Sequence, residues 1–313
     1  MRTHMKKLLC LAVVLTLLPG AFSPALAETA PSIIATNFPC YDLARQLWGQ
    51  EADIRMLLPP GSESHSYEPT PQDLIVLQNC DLFLYVGGES DVWVETILDS
   101  LGENAPSTFR LSDQVTLVEE EHSASMEAHE HDHEHEEEEM DEHVWTSPKN
   151  MLMIVPALAD ELSRLFPASA GSVQQAEEQY LSELQKLDTA FETVVQNGKR
   201  DLILFGDRFP FRYFARDYGL RYDAAFPGCS EDSEPSVRTV ISLVDTIRQQ
   251  QIPVVFYIEF SSRRTADILA EETGAKELLF HSCHNVSAQE IADGASYLSL
   301  MWRNVDALKE ALN

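Results

Sequence analysis

Short apolar segments alternate with amphipathic segments along most of this chain, and the alternation occurs in two separate stretches. The first stretch starts with the strand-like SIIATNF (32–38) and the helix-like YDLARQLWG (41–49). The second starts with the strand-like DLILFGD (201–207) and ends in a helical segment that reaches residue 312. Because strands that alternate with helices form parallel sheets covered by helices, each stretch predicts its own sheet.

A segment without proline or glycine, residues 172–196, lies between the two stretches. It is rich in Ala, Leu, Glu and Gln and predicts one helix about 37 Å long at 1.5 Å per residue. The predicted fold class is therefore α/β, with two lobes, each a mostly parallel sheet flanked by helices, joined by one long rigid helix. The predicted boundaries are 28–167 for the N-terminal lobe, 168–198 for the linking helix and 199–313 for the C-terminal lobe. Ligands of such sheets bind beyond the carboxyl ends of the strands, so we expect a site where those ends of the two lobes face each other.

The beginning of the chain, residues 1–27, has the pattern of a secretory signal peptide. Lys6 and Lys7 precede an apolar run at residues 8–18, and the small-residue sequence ALA (25–27) fits a cleavage site. No run of the chain reaches the roughly 20 apolar residues that a membrane helix needs. We therefore expect a soluble periplasmic or extracellular protein, exported by a cleavable signal peptide.

The formal net charge of the chain is -29. Binding to a phosphate backbone requires Lys and Arg, so this charge argues against a nucleic-acid partner and favours cations as ligands.

An even number of cysteines follows the predicted cleavage site, which in an oxidising compartment favours disulfides. Pairing within each half is expected, although spacing does not decide the connectivity. The candidates are Cys40, Cys80, Cys229 and Cys283. For Cys40 and Cys80 the alternative is burial without pairing.

Residues 119–142 form an insert rich in histidine and acidic residues. It lacks the apolar residues that would offset the entropy lost on ordering, so a disordered loop is predicted. An acidic run alone would only add solubility, but imidazole is a usual ligand of zinc, copper and nickel. We predict accessory, low-affinity metal capture by the histidines of this loop, which are His122, His129, His131, His133 and His135.

Two further histidines lie where structured ligands are expected. His65 follows the strand-like DIRMLL (53–58) in a loop of Gly, Pro and Ser. His143 ends the acidic insert and is followed by Trp145, a Ser-Pro turn and a helix-like segment. A single histidine in a loop is more often exposed to solvent and binds no ligand. Because His143 is a second histidine in a structured position, that alternative is less favoured for His65.

Four motifs resemble, in order along the chain, those of the periplasmic solute-binding proteins of zinc and manganese ABC importers. They are GSESHSYEPTPQD (61–73), DEHVWTSP (141–148), FRYFARDYGL (211–220) and YLSLMWRNVDALKEAL (297–312). The resemblance implies two α/β lobes joined by a rigid helix, a metal buried in the cleft between them and little lobe closure. It also implies that His65 and His143 are the ligands from the first lobe. The long His-rich loop resembles the zinc members more than the manganese members.

The chain departs from this family in the second lobe. The family's third ligand, His or Glu, falls here on Arg208, which has no lone pair for a metal. We predict the neighbouring Asp207 instead, with a helix cap or a salt bridge to Arg208 as its alternative role. By position, the family's fourth ligand, an Asp after the last strand, falls on His281.

Two residues near His281 are rivals for the fourth position. Cys283 is one, although a disulfide with Cys229 is the favoured interpretation, and His284 is the other. Zinc binds four His, Cys or carboxylate ligands in a tetrahedral arrangement. The predicted ligands are His65, His143, His281 and Asp207.

The predicted function is high-affinity extracytoplasmic binding of Zn²⁺ and its delivery to the membrane permease of an ABC importer. The alternatives are the same role for manganese or another divalent metal, or a surface adhesin. An enzyme is not predicted, because no HExxH motif, nucleophile elbow or pair of carboxylates occurs at a credible site; the HExxH match at 129–133 lies within the insert predicted to be disordered. We expect a monomer.

Overall fold

The structure is a computed structural model that describes residues 30–49, 52–63, 65, 67–121, 123–125, 140–228, 230 and 234–313. The predicted signal peptide (1–27), the five histidines predicted to capture metal in the insert, and Cys229 lie outside the described residues. Within the described part, no helix is both long enough and apolar enough to cross a membrane.

The first predicted sheet consists of four strands, and all neighbouring strands are parallel. In the order β2-β1-β3-β4, they are β1 (Ser32–Ala35), β2 (Asp53–Met56), β3 (Leu82–Tyr85) and β4 (Ser107–Arg110). The helices in this half are α1 (Phe38–Trp48), α2 (Pro71–Gln78) and α3 (Val92–Leu101). Ile33 and Ala35 belong to the main core on one face of the sheet, whereas Ile34 belongs to a smaller cluster on the other face. Successive strand residues point to opposite faces, so apolar residues without alternation indicate a sheet that is covered on both sides.

The second sheet has the same order of parallel strands, β6-β5-β7-β8. Its strands are β5 (Leu202–Arg208), β6 (Arg221–Phe226), β7 (Val254–Tyr257) and β8 (Lys276–Leu279). In both sheets the strand order reverses between the first and third strands, and this switch point is where ligands bind in open parallel sheets.

Helices of the second half follow its strands, and two longer helices precede the sheet. The helices of the second half are α6 (Arg212–Tyr218), α7 (Val237–Gln250), α8 (Arg264–Thr273), α9 (Ala288–Ala292) and α10 (Tyr297–Leu312). The two longer helices are α4 (Pro148–Leu165) and α5 (Ala170–Asn197).

Helix α5 is the predicted linking helix. Its buried residues Tyr180, Leu184, Leu187 and Phe191 recur every three or four positions and therefore share one face. The helix packs against α1 of the first half, α10 of the second half and α4. One core cluster consequently contains buried residues of both halves, from Ile33 to Leu312. The predicted fold class of two parallel, helix-flanked sheets with a long helix is confirmed.

Local signals set the beginnings of several helices. At α2, the Thr70 hydroxyl accepts a hydrogen bond from the Asp73 backbone N–H, and the Asp73 carboxylate accepts one from the Thr70 backbone N–H. Ser147 caps α4 by accepting from the backbone N–H of Lys149. Such caps satisfy N–H groups that have no partner within the helix.

Among the cysteines that the structure describes no disulfide forms, and Cys40, Cys80 and Cys283 are free and buried. Cys40 lies in the main core and Cys80 in the cluster on the opposite face of the first sheet. The sheet separates these two thiols, so the expectation that they pair was wrong, and the alternative of burial without pairing is confirmed. Burial also raises the pKa of the Cys283 thiol well above its ordinary value, which makes it a poor nucleophile.

The contact between β5 and α8 provides a test of the fold. A Cβ atom added to Gly206 would lie 2.6 Å from the Cα of Ala266, whereas one added to Gly171 in α5 would meet nothing within 4 Å. We expect Gly206→Ala to lower the free energy of unfolding by about 1–3 kcal/mol, because the backbones must separate. Gly171→Ala is the matched control and should leave that free energy unchanged or slightly higher. Urea denaturation measures both, and equal stability of the two variants would contradict the predicted close packing.

Candidate metal site

Three histidine side chains converge at the carboxyl ends of the strands. His65 lies in the loop after β2, His143 directly precedes the 3₁₀ turn Val144–Thr146, and His284 follows β8. One ring nitrogen from each lies within 4.8 Å of the others. His143 and His284 are buried, and His65 is nearly so. The three imidazoles are therefore close enough to bind one metal ion.

The ring of His143 is held by Asp141. The Asp141 Oδ1 atom accepts a hydrogen bond from the His143 backbone N–H at 2.8 Å and lies 3.2 Å from Nδ1. This arrangement places a proton on Nδ1 and leaves the lone pair of Nε2 free. That Nε2 atom is buried and has no hydrogen-bond partner among the described residues. A buried nitrogen without a partner is costly, and a metal ion would provide one.

The ring of His65 is held through a serine. Ser90 Oγ donates to Glu142 Oε1 at 2.5 Å and lies 2.9 Å from His65 Nδ1. Because Ser90 has only one hydroxyl proton and donates it to the carboxylate, its oxygen must accept from a protonated Nδ1. The lone pair of His65 Nε2 is consequently available. Gly88 allows this approach, since a Cβ atom there would lie 2.5 Å from Glu142 Oε2.

The position of His284 is set by its backbone. Glu259 accepts two hydrogen bonds from Ser282, one from the backbone N–H at 2.7 Å and one from the Ser282 hydroxyl at 2.5 Å. The His284 backbone N–H also donates to Glu259, at 3.2 Å. The indole of Trp145 lies 4.8 Å from the His284 ring, centroid to centroid, and covers it.

Hydrogen bonds tie the three segments together. Asn285 Nδ2 donates to the carbonyl oxygens of Pro59 and Ser62, each at 2.8 Å, which links the loop of His65 to the segment of His284. Trp145 Nε1 donates to the carbonyl oxygen of Ser282 at 2.8 Å, which links the segment of His143 to that of His284. The site is therefore preorganised.

Charge and burial affect the three imidazoles differently. Burial is the largest influence on the pKa of His143 and by itself lowers it, but nearby carboxylates, chiefly Asp141, outweigh burial, and the pKa is raised. Burial, followed by the charge of His143, lowers the pKa of His65. The pKa of His284 is lowered well below its ordinary value, first by burial and then by the charges of the other two histidines and of Arg208. Neutral imidazole is the form that binds metal, so two of the three rings are ready at neutral pH.

The three rings line a small cavity of about 30 Å³, more than the roughly 10–15 Å³ that one ordered water needs on this measure. Arg208 and Glu63 also line it, and their side chains form an ion pair at 3.0 Å between Nη1 and Oε2.

The two predicted second-lobe ligands have other partners. Asp207 accepts hydrogen bonds from the backbone N–H groups of Arg208 at 2.9 Å and Ile258 at 3.1 Å, and so joins the ends of β5 and β7. Burial raises the pKa of this carboxyl group. Among the described residues, Asp207 and His281 do not belong to the group of converging ligand atoms, and His284 does.

His281 instead supports the turn that carries His284. Its Nδ1 accepts from the Cys283 backbone N–H at 2.9 Å, and its own backbone N–H donates to Asn304 Oδ1 at 2.8 Å. Cys283 has a φ of 61°, in the left-handed region. The chain thus bends after β8, and the residue that reaches the cavity is three positions later than a count from the strand end suggests. The sequence signal for a ligand in this segment was the cluster HSCH (281–284), in which His284 was the alternative to His281.

Two parallel sheets packed around one long helix, with imidazoles converging at the carboxyl ends of the strands, define the class of substrate-binding proteins that hold a metal ion. The chain belongs to the family described as zinc-uptake complex component A, periplasmic, which it matches over residues 33–311. This is a family of substrate-binding components of ABC zinc transport and not of enzymes.

Individual relatives agree with this assignment. The chain is 31% identical over 283 residues to the high-affinity zinc uptake system protein ZnuA of Bacillus subtilis, covering 90% of this chain and 87% of that protein. It is 28% identical over 287 residues to the zinc-binding lipoprotein AdcA of Streptococcus pneumoniae, covering 91% of this chain and 56% of AdcA, so it spans about half the length of that relative. The crystal structure of the Zn(II)-bound ZnuA-like domain of AdcA is similar, with a TM-score of 0.75 at 26% identity, and 90% of this chain and 99% of that domain are covered.

The role of Ser90 in orienting the His65 ring can be tested by mutation. We expect Ser90→Ala to weaken Zn²⁺ binding by about tenfold, because groups that orient a ligand contribute about 10–100-fold to metal affinity. Ser90→Thr keeps the hydroxyl and should restore most of the affinity. Ser100→Ala is the control, because the Ser100 hydroxyl bonds only to the Ile97 carbonyl on an exposed face of α3. A competition titration with a zinc chelator measures all three, and Ser90→Ala binding as tightly as Ser100→Ala would refute the role of Ser90.

Proposed function

We propose that this chain captures Zn²⁺ outside the cytoplasm through His65, His143 and His284 and presents it to the membrane permease of an ABC importer. The observation that carries the proposal is the convergence of one ring nitrogen from each of these histidines within 4.8 Å in a small, largely buried cavity. The family match and the zinc-binding names of the relatives support zinc as the ion.

The ligand type favours zinc over manganese. Imidazole suits zinc, copper and nickel, whereas carboxylate, carbonyl and water suit manganese and magnesium. The carboxylates near the site hold other groups: Asp141 binds His143, Glu142 binds Ser90, and Glu259 binds Ser282. A surface adhesin is not favoured, because the matched family is defined by zinc uptake.

The remaining features of this function stay predictions. A cleavable signal peptide over 1–27 would export the chain, and the histidines of the insert would raise the local metal concentration near the site. The two ends of the insert are fixed: Glu119 and Met140 form an antiparallel bridge three residues before His143. The protein would act as a monomer without a nucleic-acid partner.

Single substitutions test the ligand set. His65→Ala, His143→Ala and His284→Ala should each weaken Zn²⁺ binding by at least about 100-fold, because loss of a direct ligand costs more than loss of an orienting group. Isothermal titration of the apo-protein with Zn²⁺, with a competing chelator for the tight variants, measures the dissociation constant.

Two conservative variants are the controls. Asp207→Asn and His281→Asn each keep an oxygen that can accept the backbone hydrogen bonds of Asp207 and His281. Both should bind Zn²⁺ within about threefold of the unmodified protein, well below the effect expected for a ligand. If His284→Ala binds Zn²⁺ normally and His281→Asn does not, His281 is the ligand, as its position in the sequence predicts.

The pH dependence of binding follows from the protonation of the rings. The pKa of His143 is raised and those of His65 and His284 are lowered, so His143 takes up a proton first as the pH falls. Zinc affinity should therefore fall as the pH drops from 8 to 5.5, at first with one proton per bound ion and then with more. Asp141→Asn removes the charge that raises the pKa of His143, so the decline should begin at a lower pH. An affinity that does not change over this range would exclude imidazole ligands.

A further inference from the structure

A cationic side chain lines the cavity of the three histidines. Arg208 is the last residue of β5, and its side chain is only 20% exposed. The guanidinium is charged at every accessible pH and offers five N–H donors. Beside a divalent cation such a charge is repulsive, and the repulsion is larger in a buried site than in water.

The described protein ligands do not complete a zinc site. Zinc takes four ligands, and the described residues bring together three imidazole nitrogens. No carboxylate or thiolate of the described residues joins that group. The described residues therefore leave the fourth position open.

We propose that a small free carboxylate occupies the fourth position on the bound metal and is held there by the guanidinium of Arg208. This inference rests on the proposed function. An anion between the two cations turns their repulsion into two attractions, and the fork of an arginine matches a carboxylate. Capture of the metal is then coupled to capture of the anion.

Glu63 is the competing source of a carboxylate, because it lines the cavity and accepts from Arg208 Nη1 at 3.0 Å. Its side chain is 42% exposed, twice the fraction of Arg208, so it is the more solvent-accessible member of the ion pair. Its hydrogen bond with Nη1 engages one side of a guanidinium that has five N–H donors.

Cobalt spectroscopy tests the coupling. The apo-protein is loaded with one equivalent of Co²⁺ in a buffer free of carboxylates and halides, and sodium formate is added while the visible absorption of the metal is recorded. We expect a saturable change in the Co²⁺ spectrum.

Arg208→Gln should weaken the apparent formate affinity at least about tenfold, because a charge-assisted hydrogen bond is lost. The same variant should bind Co²⁺ more tightly without formate, because the repulsion is removed, whereas a purely structural role would weaken both.

Two further variants identify the source of the anion. Arg212→Gln is the matched control, since Arg212 pairs with Glu121 outside the cavity at a similar exposure of 26%. Arg212→Gln and Glu63→Gln should both keep the formate response. A Co²⁺ spectrum indifferent to formate in the unmodified protein, or an equal response in Arg208→Gln, overturns the inference. Loss of the response in Glu63→Gln also overturns it and assigns the carboxylate to Glu63. Failure to bind Co²⁺ or Zn²⁺ at all would instead refute the proposed function.

Discussion

The packing of α5 against helices from both halves is the constraint on which the site depends. The three converging imidazole nitrogens come from segments of both halves and lie within 4.8 Å of one another. Because α5 contacts α1 and α10, the hydrophobic core continues from one sheet to the other. Hydrogen bonds from Asn285 and Trp145 then join the loops themselves. A site assembled this way needs little rearrangement to accept an ion, and most of the ordering cost is met during folding.

Acidic residues determine the state of the imidazoles. Asp141 bonds to the ring of His143 directly, Glu142 acts on the ring of His65 through Ser90, and Glu259 holds the turn of His284. Each carboxylate therefore fixes a tautomer or a position. Together they also supply the negative charge that a buried dication requires, and they do so without filling its coordination positions. Arg208 is the exception in this environment, and its charge explains why an anion belongs in the site.

Much of the site could be predicted from local sequence, and the part that could not depends on a bend in the chain. His65 follows a recognisable strand and His143 precedes a recognisable helix, so both were predicted to be structured, and the family resemblance implied that they are ligands. His284 was only a rival, because counting from a strand end assumes that the chain continues straight. Asn304 instead holds the backbone of His281, and Cys283 adopts a left-handed conformation. Asp207, at the end of β5, accepts a hydrogen bond from the Ile258 backbone N–H just after β7, a contact that the local sequence does not reveal.

The sequence by itself determined the secondary structure, because the period of its apolar residues and its helix caps act within a few neighbouring residues. Two parallel sheets and the long helix α5 follow from that local pattern. Only the tertiary structure decided which imidazoles converge and that Cys40 and Cys80 lie on opposite faces of one sheet. Those outcomes depend on contacts between segments far apart in the chain, and such contacts form only when the elements pack into a shared core.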